Sequence, residues 1–591
     1  MSPAHDNVMV GAPAGTDMEL AIVPVARENT NNDSHPSDPS GNADNAHSPP
    51  AVEHSHRTKL RTITVMVALC VSITYFSTTN SRKSKNYAYD HFSTLLITAL
   101  NNTIVATAVP TICAELNSAS GYAWISAVYL LATASAAPIW AKLSDIWGRK
   151  SILLTGVGLY FLTSIICAMA QSMRMLIIGR AFQGTAGGGL VQLVYITISD
   201  LFSMRSRTMY LGLLQLMWAV AGGIGPVVGG SLTEYIGWRW VFWINLPVSG
   251  TTFFLLMFLD VHNPKTKFIE GIKAIDWFGS FTLLGMMVML LLGLNYGGAT
   301  FPWNSSTVIC LLVFGAFMSI FFVFSEKRLA RHPLMPMGLF HSKSNVATLV
   351  VGFMHDFVVF ATEFYLPLFF QAAKGASPLH SGILILPITL TQSLVALAAS
   401  VVIYKTGRYL EFIWVGVTLL TVGNGLYINL NPGSTYASIT AFEVVAAFGT
   451  GLLFQPPLIA IQAHVSPKDT ATATATLGFA RNIATSLAIV IGSVVFQTGM
   501  DIRAPDLVAA GLPKNVTQLL SGHSAGANVM LIESITDPVQ KLAVNNAFAG
   551  SLKSLWILCT CMGACSIVAS VFIRKRVLST VHTEVKTGLK N

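Results

Sequence analysis

Apolar runs of membrane-crossing length, separated by short polar turns, fill the chain from residue 94 onward. A helix needs about 20 apolar residues to cross ~30 Å of hydrocarbon. That template predicts spans over 122–141, 151–170, 175–199, 208–230, 240–259, 276–295, 307–325, 346–370, 381–404, 411–430, 438–462, 478–499 and 552–573. One further span before residue 113 makes fourteen. Backbone groups in lipid must pair within their own segment, so these are helices and the chain is an all-α polytopic membrane protein. Residues 1–61 are rich in Asn, Ser, Pro, Asp and His without apolar period and read as a disordered tail. The apolar stretch 20–25 is too short for a cleavable signal, so the first span directs insertion.

The first span carries an anomaly. Thr62–Cys70 begins a helix and Thr94–Ile112 resumes one, but the intervening Ser77–Ser93 is polar and basic. If 64–76 crossed alone, Arg82, Lys83 and Lys85 would lie outside and every later loop would invert. Removing 71–93 joins the apolar pieces into one ordinary span. Val71 has a codon beginning GT, and Phe92-Ser93 can be encoded with a TTTCAG-like acceptor, so a retained intron is one reading. A re-entrant or cytoplasmic insertion is the other.

Composition agrees with lipid as the main solvent. Hydrophobic residues make up 52% and charged residues 11%, against about 25% charged in soluble domains; the mean hydropathy is +0.59. The net charge of +9 has no basic stripe interleaved with stacking aromatics, which excludes a nucleic-acid reading. It marks sidedness instead. Lys142, Arg149, Lys150, Arg205, Arg207, Lys265, Lys267, Lys273, Lys327, Arg328, Arg331, Lys405 and Arg408 fall in alternate loops, with Arg574–Arg576 on the same side. Both termini are therefore expected in the cytoplasm, in the plasma membrane or alternatively the vacuolar membrane. The sequons at Asn304 and Asn515 then face outward, available for glycosylation. Seven cysteines and fourteen histidines show no metal-ligand spacing, and no metal is expected. The chain has no GxxxxGK[ST] to power an ATPase and no nucleophile–base constellation, so an enzyme is not expected.

Four motifs carry chemistry. Ala141–Lys150 (AKLSDIWGRK) is a tight basic turn in which Asp145, Gly148, Arg149 and Lys150 can form a charged latch between helix ends. Ile178–Gly184 (IGRAFQG) places Arg180 and Gln183 inside a span, where a cation is a functional candidate. Gly222–Gly230 (GGIGPVVGG) sets Gly225, Pro226, Gly229 and Gly230 on a span that is expected to kink and pack closely. Gly237–Pro247 (GWRWVFWINLP) follows it.

These motifs resemble the Major Facilitator Superfamily. AKLSDIWGRK is similar to its loop 2–3 signature with Ala141 in place of glycine, and IGRAFQG is similar to its arginine motif for proton transfer. GGIGPVVGG resembles the antiporter motif of drug exporters, and GWRWVFWINLP is typical of the fourteen-span drug:proton antiporter branch. Pro367–Gln371, Lys374-Gly375, Ser381-Gly382 and Gln455-Pro456-Pro457 are similar to fungal members. Gly407-Arg408 and Gly449-Thr450 repeat Gly148-Arg149 and Gly184-Thr185 at offsets of 259 and 265.

The resemblance implies two six-helix bundles, 62–260 and 331–575, on either side of two extra helices in 261–330, with a long outer loop at 500–550 and a cytoplasmic tail at 576–591. It implies a monomer without cofactor that exports drugs, toxins or secondary metabolites by proton antiport. One departure stands out: the branch has an aspartate in span one, where this chain has Asn101. Asn101 cannot titrate, so Asp356 and Glu363, seven residues apart on one helix face, are the candidate proton carriers alongside Arg180 and Gln183. Glu443 is a further intramembrane carboxylate. Asn101, Asn102, Gln215, Trp218 and Gln455 are the cavity candidates. The alternatives are a proton-coupled importer or facilitator of siderophores, amino acids or sugars, or a transporter-like sensor.

Overall fold

A computed structural model of the protein describes residues 83–116, 121–257, 266–298, 301–330, 333–335, 337–526 and 528–580. The tail 1–61, the segment 62–70 and residues 71–82 of the anomalous stretch lie outside the described residues. Residues 83–93 are helical and continuous with the first span.

The long helical segments, in chain order, are α1 (Lys83–Glu115), α2 (Gly121–Trp147), α3 (Arg149–Ala168), α4 (Met173–Leu201), α5 (Met204–Tyr235), α6 (Trp240–Met257), α7 (Trp277–Tyr296) and α8 (Ser306–Phe324). They continue as α9 (Lys343–Lys374), α10 (Pro378–Thr406), α11 (Leu410–Tyr427), α12 (Tyr436–Ala463), α13 (Thr470–Ala509) and α14 (Pro538–Ser570). Among the described residues, β-pairing is confined to one isolated bridge between Gly297 and Phe301. Twelve of these helices are long and apolar enough to cross a membrane, and the bent α1, which turns 43° between Val105 and Thr107, would make thirteen. The count of fourteen needs α4, a 29-residue helix carrying Arg174, Arg180 and Asp200.

Two sets of helices pack by the same rules. In α1–α6 the pairs are α2 with α4, α1 with α5, α3 with α4, α3 with α6 and α1 with α6. Adding eight to each number gives pairs that recur within α9–α14, where α13 also packs on α14. Between the sets, α5 packs on α10 and α2 on α13, a reciprocal exchange with two-fold character. The helices α7 and α8 pair with each other, and α7 touches α2 and α13. Only 17% of the apolar stretch of α8 is buried, against 72% in α9 and α12. Its exposed Phe314, Phe317, Ile320, Phe321 and Phe324 suit lipid contact.

Helix ends run further than apolar windows suggest. The segment 500–550 is not all loop: α13 extends to Ala509 and α14 starts at Pro538. Polar residues such as Asp501, Arg503 and Lys541 end an apolar window without ending a helix, and Arg503 bonds back to the Gly499 carbonyl (2.9 Å). Inside α12 the Gln455-Pro456-Pro457 run breaks the helix, because proline lacks the N–H that would continue it.

Small residues set the closest approaches, as expected where lipid removes the usual hydrophobic drive. A Cβ on Gly423 of α11 would collide with the Ala446 backbone of α12, and one on Gly449 with the Leu420 backbone. By contrast, a Cβ on Gly223 meets nothing within 4 Å. Gly423→Ala is expected to cost about 1–3 kcal/mol through overpacking and lower the unfolding midpoint in detergent. Gly223→Ala should leave it unchanged or raise it through helix propensity. Equal midpoints for the two variants would contradict this packing.

Candidate functional site

A cavity of about 550 Å³ lies between the two sets of helices, within the size range of small-molecule sites. Its wall mixes the aromatic residues Tyr129, Tyr195, Trp218, Phe360 and Phe454 with amides including Asn102, Gln192, Gln215, Gln392, Gln455 and Asn482. Two guanidiniums, Arg180 and Arg481, and two carboxylates, Asp356 and Glu363, also reach it. The formal charges cancel. Such a lining offers stacking faces and hydrogen bonds without demanding one ligand charge.

On the α1–α6 side, Arg180 is 2% exposed and is held by neutral groups. Its Nε donates to the Ile125 carbonyl (3.2 Å), Nη1 donates to Gln183 Oε1 (2.8 Å), and the guanidinium lies 4.2 Å from the Tyr129 ring centroid. Gln183 Nε2 donates onward to Ser164 Oγ (2.9 Å), tying α4 to α3. Gln183 itself is fully buried and positions the arginine rather than lining the cavity. Glycines make this network fit: a side chain at Gly184 or Gly188 would strike the backbone of Tyr129 or Thr133 on α2.

On the α9–α14 side, Asp356 of α9 is 5% exposed and sits between two bases. His355 Nδ1 is 3.2 Å from Oδ1 and Arg481 Nε of α13 is 3.1 Å from Oδ2. Arg481 Nη2 also donates to the Phe454 carbonyl (3.0 Å), and His355 Nε2 contacts the Thr450 carbonyl (3.1 Å). Two turns along α9, Glu363 Oε1 accepts from Gln392 Nε2 of α10 (2.9 Å). Seven-residue spacing thus brings both carboxylates to the same cavity wall.

One end of the cavity is closed by bonds between the sets. Gln462 Nε2 donates to Ser199 Oγ of α4 and to Thr474 Oγ1 of α13 (both 2.9 Å), while its Oε1 accepts from Arg207 Nη1 of α5 (2.9 Å). Gln455 Nε2 donates to the Leu211 carbonyl (3.0 Å), and Arg205 Nε donates to the Tyr404 carbonyl (2.6 Å). Ala141, Ile196, Ala471 and Ala475 form an apolar seal at the same end.

The basic turn lies beside this closure. Gly148 takes φ +90, a backbone conformation that strains other residues, and so turns α2 sharply into α3. Arg149, buried, pairs with Asp145 Oδ1 (2.6 Å) and with Asp200 Oδ2 of α4 (2.7 Å), and also bonds Ser144 Oγ. Lys150 Nζ donates to the Met257 carbonyl at the end of α6 (2.8 Å). The glycines of α5 divide by role. Side chains at Gly225 and Gly229 would collide with Thr103 and Thr107 of α1, whereas Gly230 has open space. Thr103 Oγ1 crosses the same seam to the Ala221 carbonyl (2.9 Å). The helix carrying these glycines is continuous from Met204 to Tyr235; the side chain of Pro226 lies outside the described residues.

Asn102, Gln215, Trp218 and Gln455 line the cavity. Asn101 does not: it is fully buried behind the wall, with Oδ1 accepting from Asn245 Nδ2 of α6 (3.2 Å). Both sequon asparagines, Asn304 and Asn515, are exposed. No group of His, Cys, Asp and Glu suited to a metal occurs among the described residues. Sequence reading missed Arg481, His355, Asp200 and Gln462. Arg481 and His355 carried the same signal as Arg180, an ionisable residue inside an apolar run. Asp200 and Gln462 become visible only once distant helix ends meet.

The chain matches the Major Facilitator Superfamily over residues 92–489. It is 42% identical over 497 residues to the efflux pump dotC of Dothistroma septosporum, covering 84% of this chain and 85% of that protein. It is 41% identical over 535 residues to the MFS-type transporter ppz2 of Metarhizium majus, covering 90% and 88%. An MFS-type transporter of Aspergillus terreus is 38% identical over 523 residues, covering 83% and 93%. In fold it is similar to the human organic anion transporter MFSD10, with a TM-score of 0.53 at 14% identity over 82% of this chain and all of that one. The repeated six-helix packing, the glycine seams and these relatives together make the chain a multi-pass membrane transporter of the Major Facilitator Superfamily.

Proposed function

We propose that the protein exports small amphipathic organic molecules, of the drug, toxin or secondary-metabolite kind, in exchange for protons. The observation that carries this reading is the cavity: aromatic faces, amides and two carboxylates enclosed between two helix sets and closed at one end. Relatives named as efflux pumps support the direction of transport. In this reading the chain crosses the plasma membrane fourteen times as a monomer, with both termini and the basic closed end in the cytoplasm. The bundles are 62–260 and 331–575, the extra pair lies in 261–330, and Asn304 and Asn515 are glycosylation sites. Energy comes from the proton gradient without a cofactor.

The chemistry follows from charge compensation. With the cytoplasmic end closed, substrate leaves outward and protons reach Asp356 and Glu363. Protonating Asp356 removes the charge that pairs Arg481, and protonating Glu363 changes its bond with Gln392. Either event alters the wall that substrate touches, so proton and substrate occupancy exclude each other. Arg180, held by Gln183, keeps a fixed positive charge across the cavity. The Asp145–Arg149–Asp200 latch, with Gly148 and Lys150, holds helix ends together while the cytoplasmic side is shut. The α1–α5 seam at Gly225 and Gly229 keeps that bundle rigid as it moves.

The test is efflux from inside-out vesicles across a panel of hydrophobic compounds. Accumulation should require an acid lumen and stop when the pH gradient is collapsed; flux indifferent to the gradient would contradict antiport. Glu363→Gln should lower gradient-driven accumulation by about 100-fold while substrate exchange without a gradient persists. Asn101→Asp should add no coupling, because it buries a new carboxylate beside Asn245 and Tyr129, behind the cavity wall. An altered proton stoichiometry in that variant would return the proton site to α1.

The latch makes a separate prediction. Asp200 is 11% exposed and Asp145 27%. Asp200→Asn should therefore destabilise the protein by about 3 kcal/mol, since it leaves Arg149 half-compensated in a buried place. Asp145→Asn should cost less, and thermal unfolding in detergent distinguishes the two. The reverse order would contradict the latch geometry.

A further inference from the structure

Glu443 of α12 is fully buried, and neither of its carboxylate oxygens has a hydrogen-bond partner. Such a group is far cheaper to hold as the neutral acid than as an anion. Its neighbours are equally unusual. The hydroxyl of Tyr427 is buried and unpartnered, and the Tyr427 ring lies 5.4 Å from Trp556, whose indole N–H is unpartnered too. Three orphaned polar groups close together in a membrane bundle are costly, and packing alone does not call for them.

Geometry connects this cluster to the cavity. A separate void of about 10 Å³, room for about one water, is lined by Thr362, Glu363, Gln392, Asn424, Tyr427 and Thr450 among others. Glu363 and Gln392 also line the large cavity, so the two spaces share a wall. On α12 the void touches Ala446, Ala447 and Thr450. Glu443 precedes these by three, four and seven residues and therefore lies on the same helix face. On α11, Gly423 abuts Ala446, which sets the antiparallel register and brings Tyr427, one turn further, level with Glu443.

We propose that Glu443 is a proton-binding site, joined through Tyr427 and a single water to Glu363, that loads protons from the outer side. This rests on the antiport reading above. Glu443 lies seven residues, about 10 Å, from the Tyr436 end of α12, which that reading places outside. A proton bound at Glu443 passes to the water as Tyr427 donates and re-accepts one, and the water hands a proton to Glu363. Only O–H bonds form and break; the transfer leaves Glu443 as a carboxylate, and its burial without a partner drives it to take the next proton from the outer side. The titratable and charged groups facing the cluster are few. Tyr427 comes from α11, Glu363 from α9 and, toward the outer end, His380 from α10, whose ring lies 5.9 Å from that of Tyr436. Lys374 at the end of α9 faces the Tyr436 ring but donates to the Pro432 and Ser434 carbonyls (2.7 and 2.8 Å). No cation pairs with Glu443 among the described residues.

The experiment uses the full chain in proteoliposomes with any compound the wild type accumulates under a pH gradient. Glu443→Gln should lower gradient-driven accumulation by roughly 100-fold and leave gradient-free exchange intact; Glu443→Asp should restore most of the gradient response. Wild-type accumulation by Glu443→Gln would overturn the proposal. If Glu443→Gln loses exchange as well, infrared difference spectra of the purified protein decide. A carboxylic-acid band present in wild type and absent from the variant supports the site, and an identical band in both overturns it. A wild type that itself ignores the gradient fails the antiport reading instead, before any variant is compared.

Discussion

A guanidinium in the bilayer must be solvated by the protein, because hydrocarbon offers it nothing. Three arginines, two within apolar spans and Arg149 at a helix end, organise the molecule. Arg149 is met by two carboxylates and fastens helix ends. Arg180 is met by a carbonyl, an amide and an aromatic face, and so keeps its charge at the cavity wall. Arg481 is met by one carboxylate that also faces the cavity. The first pairing is shielded and mechanical. The last is open to whatever enters, which makes it the pairing that chemistry can change.

The helix packing decides where those pairings act. Because α5 packs on α10 as α13 packs on α2, each set leans on the other through equivalent faces. Small residues keep each set dense inside, whereas the seam between sets holds the void and a handful of hydrogen bonds. Rigid bundles with a polar seam are suited to rocking. Three of the bonds that close the seam meet at Gln462, and when it lets go Arg207 keeps its bonds to the Phe202 carbonyl.

Much of this was legible in the chain. Apolar length located the helices. Arg180 and the α9 carboxylates stood out as ionisable residues in apolar runs. Three things were not legible. Asn101 stands where the resemblance implies an acid, but its side chain is buried and bonds Asn245 of α6, outside the cavity lining. Asp200 is an ordinary helix-end carboxylate until folding brings it to Arg149 across 51 residues. Gln462 and Ser199 meet across 263 residues, a distance no local pattern spans.

In the proposed export cycle the seam at Gln462 opens on every turn. The hydroxyls of Ser199 and Thr474 sit on opposite sets, each 2.9 Å from Gln462 Nε2. Cysteines at these two positions, with the seven native cysteines replaced, can be joined by oxidation. Efflux measured before oxidation, after it, and again after reduction gives the answer. The account predicts transport that stops with the bond and returns on reduction; transport undiminished by a complete cross-link would contradict it.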